Sequence, residues 1–349
     1  MDENEKTIHS PKTKIAYLET LRVLSAFGVI TLHICCNLIK FYDEGLSETE
    51  HRIFEFLWFS FHFCVPVFVM ITGAIFLSPE KEVGYKKILS KYLPRMLFIL
   101  LLFGFAFCWM EIVFNERKIT IPQIPVAFLN LVVGYCWDNM WYLYMLCGLY
   151  LAIPIVKAFV EKASDKDILI FLTVLFLFES VQSFSKECFG FKTGFYIPFS
   201  GIYIFYLIAG HFLSKIEIKN MFFTLGLIFV PLSVLVFFIA LGYEYSVLGK
   251  YFSYSSPITV CLSLGIFSLF RNSRVKKPIE DFCLKFGKYT FGIYIFHVVF
   301  LNFAYKFLHF TPINYPALLV FFVLFFATPI LSFALSLLFR KLPFFKNLF

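Results

Sequence analysis

The sequence predicts an all-α, polytopic membrane protein, and three observations support this fold class. Of the 349 residues, 60% are hydrophobic and only 15% are charged. A soluble domain is roughly 45–50% apolar and about 25% charged. The mean hydropathy is +0.79. Apolar runs of about 20 residues, long enough to cross a bilayer, recur along nearly the whole chain. A separate soluble domain therefore has little room.

The apolar runs predict about ten transmembrane helices joined by short polar segments. The predicted spans are 15–40, 53–77, 91–114, 139–160, 167–184, 198–214, 220–242, 254–271, 287–308 and 315–339. The segment 120–137 contains Pro122 and Pro125 and is ambiguous, because a re-entrant or interfacial piece also fits it. We divide the chain into a tail (residues 1–14), one transmembrane domain (residues 15–341) and a second tail (residues 342–349).

The lysines and arginines predict the orientation of these helices. With the N-terminus in the cytoplasm, the cytoplasmic segments hold about 22 Lys and Arg and the outer segments about 8. This bias predicts that both termini are cytoplasmic. It also places Arg22 near the cytoplasmic end of the first helix and His33 deeper in the membrane.

Several classes of site are not indicated by the sequence. The basic residues are scattered between apolar runs, so the net charge of +8 does not predict nucleic-acid binding. The nine cysteines include no CxxC pair and no Cys/His cluster with metal-ligand spacing. We interpret all nine as small buried apolar residues. The first 14 residues are polar, and no cleavable signal peptide is evident.

Three polar side chains share one face of the first predicted helix. Arg22 and His33 are eleven positions apart, which returns the helix to within roughly 20° of its starting direction. They are about 16 Å apart along the axis. Glu19 precedes Arg22 by about one turn on the same face. Such groups are costly in a membrane unless they face a protected polar interior, so they predict a functional site.

The order of these side chains suits acyl transfer from a cytoplasmic thioester. A ligand entering from the cytoplasm meets Arg22 first, and a guanidinium binds phosphate oxygens in pairs. It reaches His33 later, and an imidazole with an ordinary pKa of about 6.5 suits general-base chemistry. From the residues alone, the alternative is a structural Glu19–Arg22 pair with His33 bonded to a neighbouring helix.

Five segments resemble, in order, the motifs of one family of membrane enzymes. They are YLETLRVLSAFGVITLH (17–33), VPVFVMITGAIFL (65–77), KYLPRMLFIL (91–100), MWYLYMLCGLYLAIPIV (140–156) and FGIYIFHVVF (291–300). The chain thus resembles the acyltransferase 3 family of integral-membrane acyltransferases. Two features depart from the family pattern. Glu19 stands where Asp is common, and Arg95 has no second basic neighbour, although Lys91 lies one turn earlier.

The resemblance implies transfer of an acyl group, most often acetyl, from cytoplasmic acyl-CoA. The acceptor it implies is a hydroxyl of a cell-envelope glycan or of a lipid-linked glycan precursor. The chain is similar to stand-alone members that acetylate polysaccharide, which implies a multi-pass protein of the cytoplasmic membrane in contact with membrane lipid. Acetyl-CoA is then a donor substrate, and neither a bound cofactor nor a metal is expected.

The resemblance also implies roles for the motif residues. His33 acts as the base or as the nucleophile that first takes the acyl group. Arg22 orients the donor or stabilises charge near the thioester, and Glu19 positions Arg22 or takes part in the chemistry. CoA phosphates bind to Arg95, helped by Lys91. The remaining candidates are assigned to the acceptor path or to helix packing: Trp141, Tyr142, Thr72, Gly73 and His297.

A protein of another class also fits part of the pattern. Intramembrane Arg and His occur in proton-coupled carriers, so a glycan transporter or flippase without chemistry is the main alternative. We find no repeat of the first five spans in the last five, which argues against it. A structural scaffold leaves the Glu/Arg/His face unexplained.

Overall fold

The computed structural model describes residues 11–137, 139–191, 193–195, 201–216, 218–273, 275–342 and 345. Within these ranges the regular structure is helical and contains no strand. We label the helices in chain order: α1 Pro11–Phe41, α2 Glu48–Phe76, α3 Tyr85–Glu116, α4 Gln123–Val133, α5 Trp141–Lys162, α6 Asp165–Phe189, α7 Ile202–Lys215, α8 Met221–Ala240, α9 Tyr245–Tyr251, α10 Pro257–Asn272, α11 Lys277–Phe286, α12 Thr290–Lys306 and α13 Ala317–Lys341.

The predicted class of an all-helical, multi-pass membrane protein is confirmed. In the described part of the chain, seven helices are long and apolar enough to cross a membrane, namely α1 (from Ala16), α2, α3, α5, α6, α8 and α13. Three other predicted spans coincide with shorter helices, because α7, α10 and α12 have 14, 16 and 17 residues. The count of ten spans and the cytoplasmic termini stay predictions. Most of both predicted tails, and residues 198–200, lie outside the described residues.

The ambiguous segment 120–137 forms the short helix α4. The helix begins directly after Pro122 and ends at Gly134, whose φ of +88° is a left-handed conformation that glycine adopts without strain. One face is apolar and exposed through Ile124, Phe128 and Val132. With 11 residues, α4 is too short to cross a bilayer, which leaves the interfacial or re-entrant interpretation for this segment.

Helix α1 lies at the centre of the bundle. Its most apolar window is 67% buried inside the protein, compared with 22% for α8 and 33% for α13. It contacts α2, α11, α12 and α13. The polar face of α1 is therefore surrounded by protein, which is the environment that intramembrane charges require.

The C-terminal half of α2 crosses α7 at the distance of backbone contact. A methyl group added to Gly73 would lie 1.8 Å from the carbonyl oxygen of Leu207. One added to Gly210 would lie 2.1 Å from the carbonyl oxygen of Met70. Each helix thus presents a glycine to the backbone of the other, as small residues do where membrane helices pack closely.

We expect Gly73→Ala to lower the free energy of unfolding by about 2 kcal/mol or more, because the new methyl group has no space and the helices must separate. Thermal unfolding in one detergent measures the effect. The control is the same substitution at Gly148 on α5, where no atom lies within 4 Å of the added carbon. Gly148→Ala should be neutral or slightly stabilising, since alanine is the better helix former. Equal stability of the two variants would contradict this close crossing.

Candidate active site

The charged end of α1 contacts the turn Gly287–Tyr289, which joins α11 to α12. The Arg22 guanidinium donates a hydrogen bond to Glu19 Oε1, and the two side chains form an ion pair. Glu19 also packs on Gly287, where an added methyl group would lie 2.0 Å from Glu19 Oε2. A side chain at position 287 would therefore displace the Glu19 carboxylate. Glu19 thus contacts both Arg22 and the turn between α11 and α12.

A cationic cavity opens beside this pair. It has a volume of about 320 Å³, and we call it the inner cavity because Arg22 lies at the predicted cytoplasmic end. Its lining includes three cations, Arg22, Arg95 and Lys288, and no acidic side chain. Thr72 also lines it, and the Thr72 hydroxyl donates within its own helix to the Phe68 carbonyl. A surplus of positive charge in a partly enclosed space suits a phosphate-bearing ligand.

Arg95 and Lys91 are placed differently, although both were predicted to bind the donor. Arg95 lines the inner cavity, and its guanidinium carbon lies 5.9 Å from the centre of the Phe291 ring, a cation–π contact. Lys91 is exposed and does not line this cavity. Its ammonium nitrogen lies 5.8 Å from the centre of the Tyr92 ring. The structure therefore brings Arg95, but not Lys91, to Arg22.

Two imidazoles meet farther along α1. The ring centres of His33 and His297 are 5.1 Å apart, and His297 is fully buried. His297 Nδ1 lies 2.6 Å from the Tyr294 carbonyl oxygen. Because a carbonyl only accepts, Nδ1 carries a proton, and in the neutral form of this ring Nε2 is an acceptor. Among the described residues, His297 Nε2 has no hydrogen-bond partner.

His33 lines two further cavities. The middle cavity has a volume of about 300 Å³ and includes Lys40, His62 and Trp141 in its wall. The outer cavity has a volume of about 520 Å³ and is lined by His33, Asn37, Phe41, Tyr42, Cys108, Glu111, Tyr135, Cys136, Trp137, Val298, Leu301, Asn302, Tyr305 and Lys306. His33 is thus accessible from two sides, both towards the predicted outer end of α1.

Two tyrosines separate the inner cavity from the middle one. Tyr142 and Tyr294 line both cavities, and their ring centres are 5.5 Å apart. The Tyr294 hydroxyl donates to the Asn139 carbonyl, and the Asn139 amide nitrogen lies 3.3 Å from the Tyr294 carbonyl oxygen. Along α1 the order is therefore a cationic cavity, a tyrosine pair and then His33.

The remaining predicted residues, Trp141 and Gly73, lie in different parts of the protein. Trp141 forms part of the middle cavity, where its ring centre lies 5.6 Å from that of Tyr254. Gly73 is placed at the α2–α7 crossing instead of in a cavity. In the described part of the chain, no group of three or more His, Cys, Asp or Glu side chains is arranged to hold a metal ion.

Sequence reasoning missed several residues that line these cavities. Asn37 and Lys40 continue the polar face of α1 four and seven residues after His33, so helical periodicity alone would have found them. Tyr294 precedes His297 by three residues on one helix face and carried the same signal. Asn139 and Lys288 reach the site through tertiary packing, and no local pattern marks them.

Long apolar helices around a histidine pair and a cationic cavity define a multi-pass membrane protein with an enzyme-like interior. The sequence profile of one family, described as an acyltransferase domain, matches residues 15–337, nearly the whole chain. The chain belongs to the acyltransferase 3 family and is a membrane acyltransferase. No curated protein and no solved structure matches it.

Proposed function

We propose that the protein is an O-acyltransferase of the cytoplasmic membrane. It moves an acyl group, acetyl in the simplest case, from cytoplasmic acyl-CoA to a hydroxyl of a cell-envelope glycan or of a lipid-linked glycan precursor. The observation that supports this proposal best is the position of His33. The inner cavity, with its three cations, lies on one side of His33 beyond the tyrosine pair. The middle and outer cavities, which His33 itself lines, lie towards the predicted outer end of α1.

The inner cavity suits the donor. The phosphates of CoA carry several negative charges, and Arg95 and Lys288 supply positive charge in the cavity lining, beside Arg22 with its Glu19 partner. The pantetheine arm is long and narrow, and it extends from the phosphates towards the Tyr142–Tyr294 pair. A thioester held in this way points along α1 towards His33, about 16 Å from Arg22 by helical rise.

The outer cavity suits a neutral, hydroxyl-rich acceptor. Its two charged side chains cancel, since the Lys306 ammonium lies 2.7 Å from a Glu111 carboxylate oxygen. The Trp137 indole donates to the same Glu111 oxygen, Oε2, at 2.8 Å. Asn37 and Asn302 add amide groups, which can bond to sugar hydroxyls. This cavity therefore lacks the surplus positive charge that phosphates require.

The imidazole pair supports a base mechanism at His33. His33 takes the proton of the acceptor hydroxyl, and the oxygen attacks the thioester carbonyl carbon to form a tetrahedral intermediate. The intermediate collapses, the C–S bond breaks, and the sulfur of CoA takes the proton from His33. Since two positive imidazoles repel at this separation in a buried site, His297 stays neutral while His33 is charged. Attack by His33 itself, through an acyl-histidine, is the second route.

Purified protein in lipid nanodiscs tests the proposal. Acetyl-CoA is supplied with envelope glycan and lipid-linked glycan fractions, and both CoA release and acetyl ester on the glycan are measured by mass spectrometry. Succinyl-CoA run in parallel tests the choice of acyl group. We expect ester formation that depends on donor and acceptor together. Glycan movement driven by a proton gradient, without CoA release, would favour the transporter alternative and overturn the proposal.

A further inference from the structure

A pair of cysteines lies in the wall of the outer cavity, apart from the proposed acyl-transfer groups. Cys108 is on α3, and Cys136 is in the segment between α4 and α5. Their Sγ atoms are 2.6 Å apart, and both are free thiols in the structure, with no disulfide between them. Cys108 is buried and Cys136 is partly exposed. Neither sulfur is needed for the transfer step at His33.

We propose that Cys108 and Cys136 form a disulfide in the cell. A disulfide bond needs the two sulfurs at about 2.05 Å, so a small side-chain movement closes the remaining distance. The partly exposed Cys136 gives an oxidant access to the pair. The geometry thus modifies the sequence-based interpretation, in which all nine cysteines were inert apolar residues.

The location of the pair supports oxidation. Helix α3 begins in the basic segment 78–95, which the charge bias predicts to be cytoplasmic, so its C-terminal end with Cys108 points away from the cytoplasm. Disulfides persist on that side of the membrane because the compartment is oxidising. The second thiol, Cys136, faces the same outer cavity.

The reaction is an exchange with the disulfide of an extracytoplasmic thiol oxidant. A thiolate of the pair attacks the oxidant disulfide and forms a mixed disulfide; the second thiolate then attacks the protein sulfur of this mixed disulfide and displaces the thiolate of the oxidant. One Sγ–Sγ bond forms in the protein and the S–S bond of the oxidant breaks. The oxidant takes up two electrons and two protons and leaves as a dithiol.

A Cys108–Cys136 disulfide would restrict the movement of the outer-cavity wall next to the Glu111–Lys306 ion pair. The residue after Cys136 is Trp137, which stacks on Phe107 with ring centres 4.6 Å apart and donates to Glu111. Phe107 is the residue before Cys108. A Cys108–Cys136 bond would therefore link the two segments that carry the Trp137 indole and its stacking partner Phe107. It would also hold α4 close to α3, because α4 lies in the loop that the bond closes.

Differential alkylation of the full-length protein tests the proposal. Membranes from cells with an oxidising extracytoplasmic compartment are trapped in acid and denatured, and free thiols are blocked with light N-ethylmaleimide. After reduction, newly released thiols receive deuterated N-ethylmaleimide, and peptides are read by mass spectrometry. We expect the deuterated label on Cys108 and Cys136. The light label is expected on Cys147, a half-buried cysteine on α5 outside the outer cavity.

Two single variants make the result specific. In Cys108→Ser, the label on Cys136 should change from deuterated to light, whereas Cys147→Ser should leave it deuterated. Light label on both cysteines of the wild type overturns the proposal. So does deuterated label on Cys136 in Cys108→Ser, because its partner would then be another thiol. The readout does not require acyl transfer, so it stays interpretable if the proposed function fails.

Discussion

His33→Ala is expected to lower the rate of acyl transfer by about a hundred-fold to ten-thousand-fold, the usual effect of removing a general base. The protein should still fold and bind acyl-CoA, because Arg22 and Arg95 line a different cavity from His33. The measurement is acetyl ester formation with saturating donor. It is paired with acyl-CoA binding, read as a rise in the thermal unfolding temperature, since a ligand stabilises the state it binds.

The matched control is His211→Ala on α7. His211 is a buried histidine in an apolar helix, and unlike the half-buried His33 it lines none of the three cavities described above. Its loss should change stability and leave the rate per folded molecule near that of the wild type. Wild-type transfer by His33→Ala would remove His33 from the mechanism. A large loss in His211→Ala would show that any buried histidine matters and that the effect is structural.

Arg95→Ala is expected to raise the KM for acyl-CoA by about ten-fold to a hundred-fold. A hydrogen bond to a charged group contributes about 1.5–3 kcal/mol, and about 1.4 kcal/mol corresponds to a factor of ten in affinity. The kcat should change less than the KM, because the proposed contact of Arg95 with the donor lies away from the reacting carbon. Initial rates over a range of acetyl-CoA concentrations separate the two quantities.

Lys91→Ala is the control for this experiment. It removes one positive charge from the same helix, one turn from Arg95, but from an exposed side chain outside the inner cavity. A change in KM of less than two-fold or so is expected, because exposed charges act weakly through water. Equal effects of the two substitutions would mean that general positive charge, and not the inner cavity, attracts the donor.

The sequence predicted the polar face of α1 well and contacts between helices poorly. Within one helix the periodicity fixes relative directions, so Glu19, Arg22 and His33 were found from spacing alone. Lys91 was grouped with Arg95 by the same reasoning. In the structure, residues Ile88–Tyr92 form a π-helical turn, which has more residues per turn than an α-helix. The direction of Lys91 relative to Arg95 therefore differs from the α-helical expectation.

The residues that complete the site could not be predicted because they depend on packing. His297 was a candidate from its motif, but nothing in its local sequence placed its ring 5.1 Å from that of His33. Asn139 joins the site through hydrogen bonds to Tyr294 on α12, 155 residues farther along the chain. The three shorter helices α7, α10 and α12 illustrate a similar limit, because hydropathy marks an apolar run but does not fix where a helix ends.

The contact of Glu19 with Gly287 has a consequence for the synthesis of the protein. Both this contact and the His33–His297 pair join the first long helix to the segment α11–α12, which is made after α1 to α10. The residues that we propose bind the donor, and the imidazole that we propose reacts, are thus aligned only after these later helices have inserted. A partly made chain in the membrane lacks the assembled site and is expected to leave the cellular pool of acyl thioesters intact.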